Sequence, residues 1–175
     1  CYMNDNKGKS HGVEVQTSFN WNKFDFDLQA TYTSSDMKQK NSTPAGGYDY
    51  VDVWATYQPE WEGNARLTYR PVDGVDIFAE AHYTDSCYTY REKDSRGGEY
   101  AYLSGKPVDS LLVYNTGLKM KLSNAAQVTF GCNDIFNEGP KQKIYTNTAF
   151  VGGGYINPEF PTQGRTYYVT VRYEF

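Results

Sequence analysis

The chain has 175 residues, a formal net charge of −4 and a mean hydropathy of −0.72. That is room for one domain, and the charge offers no basic surface for a nucleic acid. Aromatics nonetheless make up 17% of it, with 17 tyrosines, which excludes an intrinsically disordered chain and fits strands apolar on one side only.

No run approaches the roughly 18 apolar residues of a membrane helix, an absence that a barrel of strands shares. Cys1, Cys87 and Cys132 lack metal-site spacing, and an odd count cannot make a complete intrachain disulfide set. The opening Cys-Tyr-Met-Asn-Asp-Asn-Lys is polar and has no signal-peptide pattern.

Residues 1–11 read as a polar lead-in. From Gly12 to Trp21 the chain alternates, Val13, Val15, Thr17, Phe19 and Trp21 against Glu14, Gln16, Ser18 and Asn20. After Asn22-Lys23 it alternates again, Phe24, Phe26, Leu28, Ala30 and Tyr32 against Asp25, Asp27, Gln29, Thr31 and Thr33. Two such runs across a two-residue break predict a β-hairpin. The aromatics crowding that turn fit one girdle of a membrane barrel. Residues 34–61 read as a long loop, within which Tyr48 to Tyr57 alternates and predicts an extra strand rising beyond the membrane.

A third strand is expected over Glu62–Arg70 and a fourth from Val75, joined by the turn Pro71-Val72-Asp73-Gly74. The fourth puts Ile77, Ala79, Ala81 and Tyr83 on its apolar face and Asp76, Phe78, Glu80, His82 and Thr84 on its polar face. Residues 91–109 form a charged, Gly-rich loop. The fifth strand, Ser110–Leu122, turns at Ser123-Asn124 into the sixth, which carries Ala126, Val128, Phe130 and Cys132 outward. Residues 135–163 are the longest loop.

The final stretch, Gln163–Phe175, alternates strictly, with Tyr167, Val169, Val171, Tyr173 and Phe175 on one face. A soluble amphipathic strand gives the same period. The connections separate the two readings. Short breaks at 22–23, 71–74 and 123–124 alternate with long ones at 34–61, 91–109 and 135–163. Structureless loops beyond about 15 residues are uncommon in compact soluble domains. Short turns on one rim and long loops on the other mark an outer-membrane barrel. The expected fold class is therefore all-β, an antiparallel transmembrane β-barrel.

Three C-terminal pieces carry a family resemblance. Val113–Leu122 resembles the antepenultimate strand of TonB-dependent outer-membrane receptors. Gln127–Asn137, with Asn133-Asp134-Ile135-Phe136-Asn137, resembles the segment that follows it, and Gln163–Phe175 the closing strand. The resemblance implies a 22-stranded barrel filled by a plug, located in the bacterial outer membrane. It implies active uptake of a scarce ligand (a ferric siderophore, haem or cobalamin) driven by the TonB energy-coupling complex. This sequence holds about seven strands and no plug, so residues 1–175 are expected to be the C-terminal barrel segment, beside a larger partner chain with the plug and remaining strands. Membrane lipid is the other expected partner. The resemblance also implies that Tyr173 and Phe175 belong to a terminal strand read by the barrel-insertion machinery. The alternative is a self-contained or oligomeric small barrel with a structural or adhesive role.

No catalytic constellation, phosphate-cradling loop or metal cluster appears, so no enzyme activity and no cofactor are expected. Gly152-Gly153-Gly154 reads as a loop tip. His82 falls on the lumen face, where it either touches a ligand, haem iron included, or bonds to a neighbour. Arg66, Arg70, Lys119, Lys121 and Arg172 share that face with Glu14, Asp25, Asp27, Asp76, Glu80 and Glu174, a pattern expected of a mutually compensating lining. The loop aromatics Tyr48, Tyr50, Trp54, Tyr57, Tyr100, Tyr102, Tyr145, Phe150 and Tyr155 either pack on one another or form a ligand vestibule. His82, Tyr100, Tyr102, Tyr145 and Tyr155 are the candidate ligand contacts.

Overall fold

A computed structural model describes residues 7–42, 48–53, 58–87, 109–138 and 164–174. Eight strands form one sheet: β1 (Lys7–Trp21), β2 (Phe24–Ser42), β3 (Tyr48–Val53), β4 (Trp61–Tyr69), β5 (Val75–Thr84), β6 (Leu111–Lys121), β7 (Ala126–Asn133) and β8 (Thr166–Tyr173). Seven of them run in the order β1-β2-β4-β5-β6-β7-β8, each antiparallel to its neighbour.

Two sequence-based boundaries are corrected. The part of the lead-in from Lys7 on is strand, because β1 reaches back to Lys7, which pairs with Lys38. The connection at 34–61 is not one loop. β2 runs on to Ser42, and β3 pairs with its far end, Met37 opposite Val53 and Ser42 opposite Tyr48. β3 is thus the expected extra strand, seated above the β2–β4 pairing that ends at Tyr32 opposite Trp61.

The register fixes the tilt. One line of cross-strand partners runs Trp21, Phe24, Tyr69, Ile77, Leu118, Phe130, Val169. The first hairpin turns on this line, where Asn22 takes a left-handed φ of 52°. The second resumes at Val75, two residues past it. The third turns four residues past it, where the Leu122 amide donates to the Ala126 carbonyl. The stagger is one residue per strand. With about 3.3 Å per residue and about 4.8 Å between strands, that corresponds to a tilt of roughly 35°, the tilt of barrel strands.

The apolar positions on this line fall on one face. It bears no charged side chain between Trp21 and Val13 on β1, nor on the corresponding stretches of its neighbours. Eight residues at that tilt make a band about 22 Å tall, against about 25 Å for an outer-membrane barrel. Aromatics bound it at both ends. Trp21, Phe24 and Tyr69 stack in series at the short-turn end, with centroids 6.3 and 4.8 Å apart. Tyr32 lies 4.9 Å from Trp61 at the other end. Among the described residues this face is largely uncovered: Trp21 is 67% and Val171 69% exposed.

Burial lies instead on the polar face and around the loop roots. Phe78, Leu111, Val113 and Cys87 are buried apolar residues, and Thr68 and Asp134 buried polar ones. The ring of Phe78 covers Gly117 and that of Tyr168 covers Gly131, along the partner line Phe78, Gly117, Gly131, Tyr168. A Cβ on Gly117 would lie 2.4 Å from Phe78 Cζ, and one on Gly131 2.1 Å from Tyr168 Cζ. Only glycine lets these rings lie flat on the backbone.

Candidate functional site on the polar face

At the long-loop end of the polar face, β2, β4, β5, β6, β7 and β8 enclose a cavity of about 570 Å³. Gln29, Asn64, His82, Asn115 and Thr166 line it with polar groups, and Leu111 and Val113 with apolar ones. His82 is thus placed in a cavity wall, but both ring nitrogens face neighbours. Nδ1 lies 2.5 Å from Asn64 Oδ1. Nε2 is 3.6 Å from Glu80 Oε2.

Below the cavity the face is laced with ion pairs. Arg66 pairs with Glu80, and its guanidinium sits 4.3 Å from the Phe78 ring centroid. Arg70 pairs with Asp25 and, at 3.2 Å, with Asp76, which also faces Lys119 at 3.8 Å. Gln29 donates to Glu14 at 2.9 Å, Ser18 donates to Asp27 at 2.6 Å, and Arg172 faces Glu174 at 3.1 Å. Every charged residue assigned to this lining, apart from Lys121, makes one of these contacts. Lys121 lines a separate cavity of about 250 Å³ at the short-turn end with Gln127 and Arg172.

The segment after β7 forms a lock that sequence reading assigned to no role. Asp134 and Asn137 take left-handed φ values of 51° and 57°, which their short polar side chains tolerate. The Asp134 amide donates to Asn115 Oδ1 at 2.9 Å, and its carboxylate accepts the Glu138 amide at 2.8 Å. Asn137 Oδ1 accepts the Arg165 amide at 3.0 Å, tying the two ends of the last long connection together. Phe136 folds back edge-on against Tyr114, centroids 5.4 Å apart. The run of Asp and Asn just past a strand was the available signal.

Tyr100, Tyr102, Tyr145 and Tyr155 lie outside the described residues, as do Trp54, Tyr57, Phe150, Gly152-Gly153-Gly154 and Phe175. Tyr48 and Tyr50 are in β3, and the Lys7 ammonium lies 4.2 Å from the Tyr50 ring centroid. Tyr173 is in β8 on the apolar face, opposite Ala126. Among the described residues, no group of three or more His, Cys, Asp or Glu could hold a metal ion.

No family model matches the chain, and no curated protein does. Solved structures do. The ferric enterobactin receptor PfeA from Pseudomonas aeruginosa, in a mutant form, matches with a TM-score of 0.60 at 17% identity, over 94% of this chain and 22% of that one. The siderophore receptor PiuA from Acinetobacter baumannii matches with a TM-score of 0.55 at 17% identity, over 77% and 18%.

The chain has the fold of a siderophore-receptor barrel wall. It spans about a fifth of the length of these two receptors, 22% and 18%.

Proposed function

We propose that the chain is the C-terminal part of the barrel of a TonB-dependent outer-membrane receptor that takes up a ferric siderophore. The observation that carries this reading is the uncharged outer band, about 22 Å tall and closed at both ends by aromatics. Such a surface is unstable in water and suited to lipid. The fold match to receptors named for siderophores supports the ligand class.

In this reading the apolar face meets lipid and the polar face lines the lumen, where the ion pairs of Arg66, Arg70 and Lys119 lie below the cavity, which leaves ligand recognition to the cavity and the long-loop rim. His82 lines that cavity, and Tyr100, Tyr102, Tyr145 and Tyr155 are the other proposed contacts. The plug, the remaining strands and the TonB coupling complex act through the rest of the barrel. The purified barrel, titrated with a ferric siderophore panel, haem and cobalamin while tryptophan fluorescence is followed, tests this. Saturable quenching by a ferric siderophore alone is expected. Saturation by haem or cobalamin alone would overturn the ligand class and leave the barrel reading intact.

A further inference from the structure

We infer that the cavity at the long-loop end of the polar face selects ferric chelates that are neutral or positively charged, of the trihydroxamate type, and discriminates against anionic tris-catecholates. The inference rests on the siderophore reading above and narrows its ligand class. At about 570 Å³ the cavity has the size of a small-molecule site. Among the described residues its lining holds two carboxylates, Glu62 and Asp134, and neither lysine nor arginine. The site is the cavity itself, and the carboxylates set its charge preference.

The neighbouring cation on this wall is turned away from the cavity. Arg66 follows Asn64 along the same face of β4, toward the short turns. Its Nε donates to Thr68 Oγ1 at 3.4 Å, and its guanidinium lies 4.3 Å from the Phe78 ring centroid. Thr68 and Phe78 are register partners one step further from the cavity, so the guanidinium is drawn down, and Glu80 pairs with it there. A positive charge on His82 would meet the Glu80 carboxylate, 3.6 Å from Nε2. Glu62 is exposed, and no cation among the described residues pairs with it.

Recognition inside the cavity is left to uncharged groups. Asn64 Oδ1 faces His82 Nδ1, and Asn115 Oδ1 accepts the Asp134 amide. Each asparagine keeps its amino group as a neutral donor, and Thr31 and Thr84 add hydroxyls. Leu111 and Val113, both buried, supply an apolar wall. Iron(III) held by three hydroxamates has no net charge at the metal centre, and its chelating oxygens accept hydrogen bonds from such donors. Iron(III) held by three catecholates keeps a net negative charge. That charge calls for the cationic donors this lining lacks, and it meets Glu62 and Asp134 as like charges.

The purified receptor barrel containing this segment is titrated with three probes while tryptophan fluorescence is followed. They are ferrichrome, a neutral ferric trihydroxamate; ferrioxamine B, a cationic one; and ferric enterobactin, an anionic ferric tris-catecholate. At least one trihydroxamate should bind at least about tenfold more tightly than ferric enterobactin. Glu62→Lys should remove most of that preference, chiefly by tightening the catecholate, and Glu62→Gln should remove less of it. Heat-shifted gel mobility confirms that both variants are folded. A smaller preference in the unmodified barrel, or one for ferric enterobactin, overturns the inference and leaves the siderophore reading standing. A folded Glu62→Lys variant that keeps the whole preference does the same, because the selection then lies outside this cavity. Saturable binding of none of the three chelates overturns both.

Discussion

An arginine series along β8 tests the membrane reading by depth. The stagger of one residue per strand, carried over six steps from β1, sets the middle of the outer band at Val171 and its upper boundary at Tyr167. Val171 is then about 11 Å from either edge of the band. It is 69% exposed and its cross-strand partner is Val128, so among the described residues no charged or polar group shields it. Val171→Arg should cost about 2–4 kcal/mol, the cost of an arginine at the bilayer midplane, and Tyr167→Arg about 0–1 kcal/mol. Thr170→Arg, one residue away on the lumen face opposite Thr129, should cost little. The assay is reversible denaturant unfolding of the barrel from lipid vesicles, comparing the three variants. Equal costs at Val171 and Thr170, or a cost that rises from Val171 to Tyr167, would refute the register and the membrane position together.

Three further outcomes follow from named contacts. Gly131→Ala should destabilise the barrel by about 1–3 kcal/mol, because its Cβ overlaps the Tyr168 ring; adding Tyr168→Ala should recover part of the loss in the same unfolding assay. Asn137→Ala removes the acceptor of the Arg165 amide, and hydrogen exchange at Arg165 should accelerate while that of Val128 in β7 stays unchanged. Deleting Phe175 should lower the amount of protein inserted in the outer membrane more than the ligand affinity of what is inserted; normal insertion would end its assignment to assembly.

The sequence shows the two faces wherever one of them is apolar and the other wet. That condition holds from Val13 to Trp21 and from Phe24 to Tyr32, and there the expected faces and the observed register agree. It fails above the band. From Lys7 to Gly12 and from Thr33 to Ser42 both faces are polar, period two carries no contrast, and the strands persist through pairing alone. Leu111-Leu112-Val113-Tyr114 is apolar on consecutive positions, but the period of the strand, with Leu112, Tyr114, Thr116, Leu118 and Met120 outward, already separates its faces, and the register against Thr84, Tyr83, His82 and Ala81 agrees, with Leu111 and Val113 lining the cavity. At Asp134 and Asn137 the sequence signals a turn but not what it ties, because the partners, Asn115 and the Arg165 amide, are distant in the chain.

The last prediction concerns closure. β1 and β8 are the edges of the sheet, and among the described residues each pairs with one neighbour. An unpaired backbone amide or carbonyl in hydrocarbon costs several kcal/mol, so neither edge persists bare in a bilayer. The edges cannot seal against each other by antiparallel pairing. Seven strands in strict antiparallel succession leave β1 and β8 running the same way. Size argues likewise: seven strands tilted by roughly 35° span about 41 Å of circumference, and a ring that small is about 13 Å across its backbone. The lumen side chains from opposite walls would collide in it. An all-antiparallel barrel needs an odd number of additional strands, and even totals are the rule in bacterial barrels; about fifteen complete a barrel of the 22-stranded type. Those strands belong either to the same polypeptide or to a larger partner chain that also carries the plug. Electrophoresis of the outer-membrane particle in detergent, unheated and after boiling, reads the difference. A compact unheated species well above 19.9 kDa is expected. A folded, monomeric species of 19.9 kDa in both membrane and detergent would refute the closure argument and restore the small self-contained barrel.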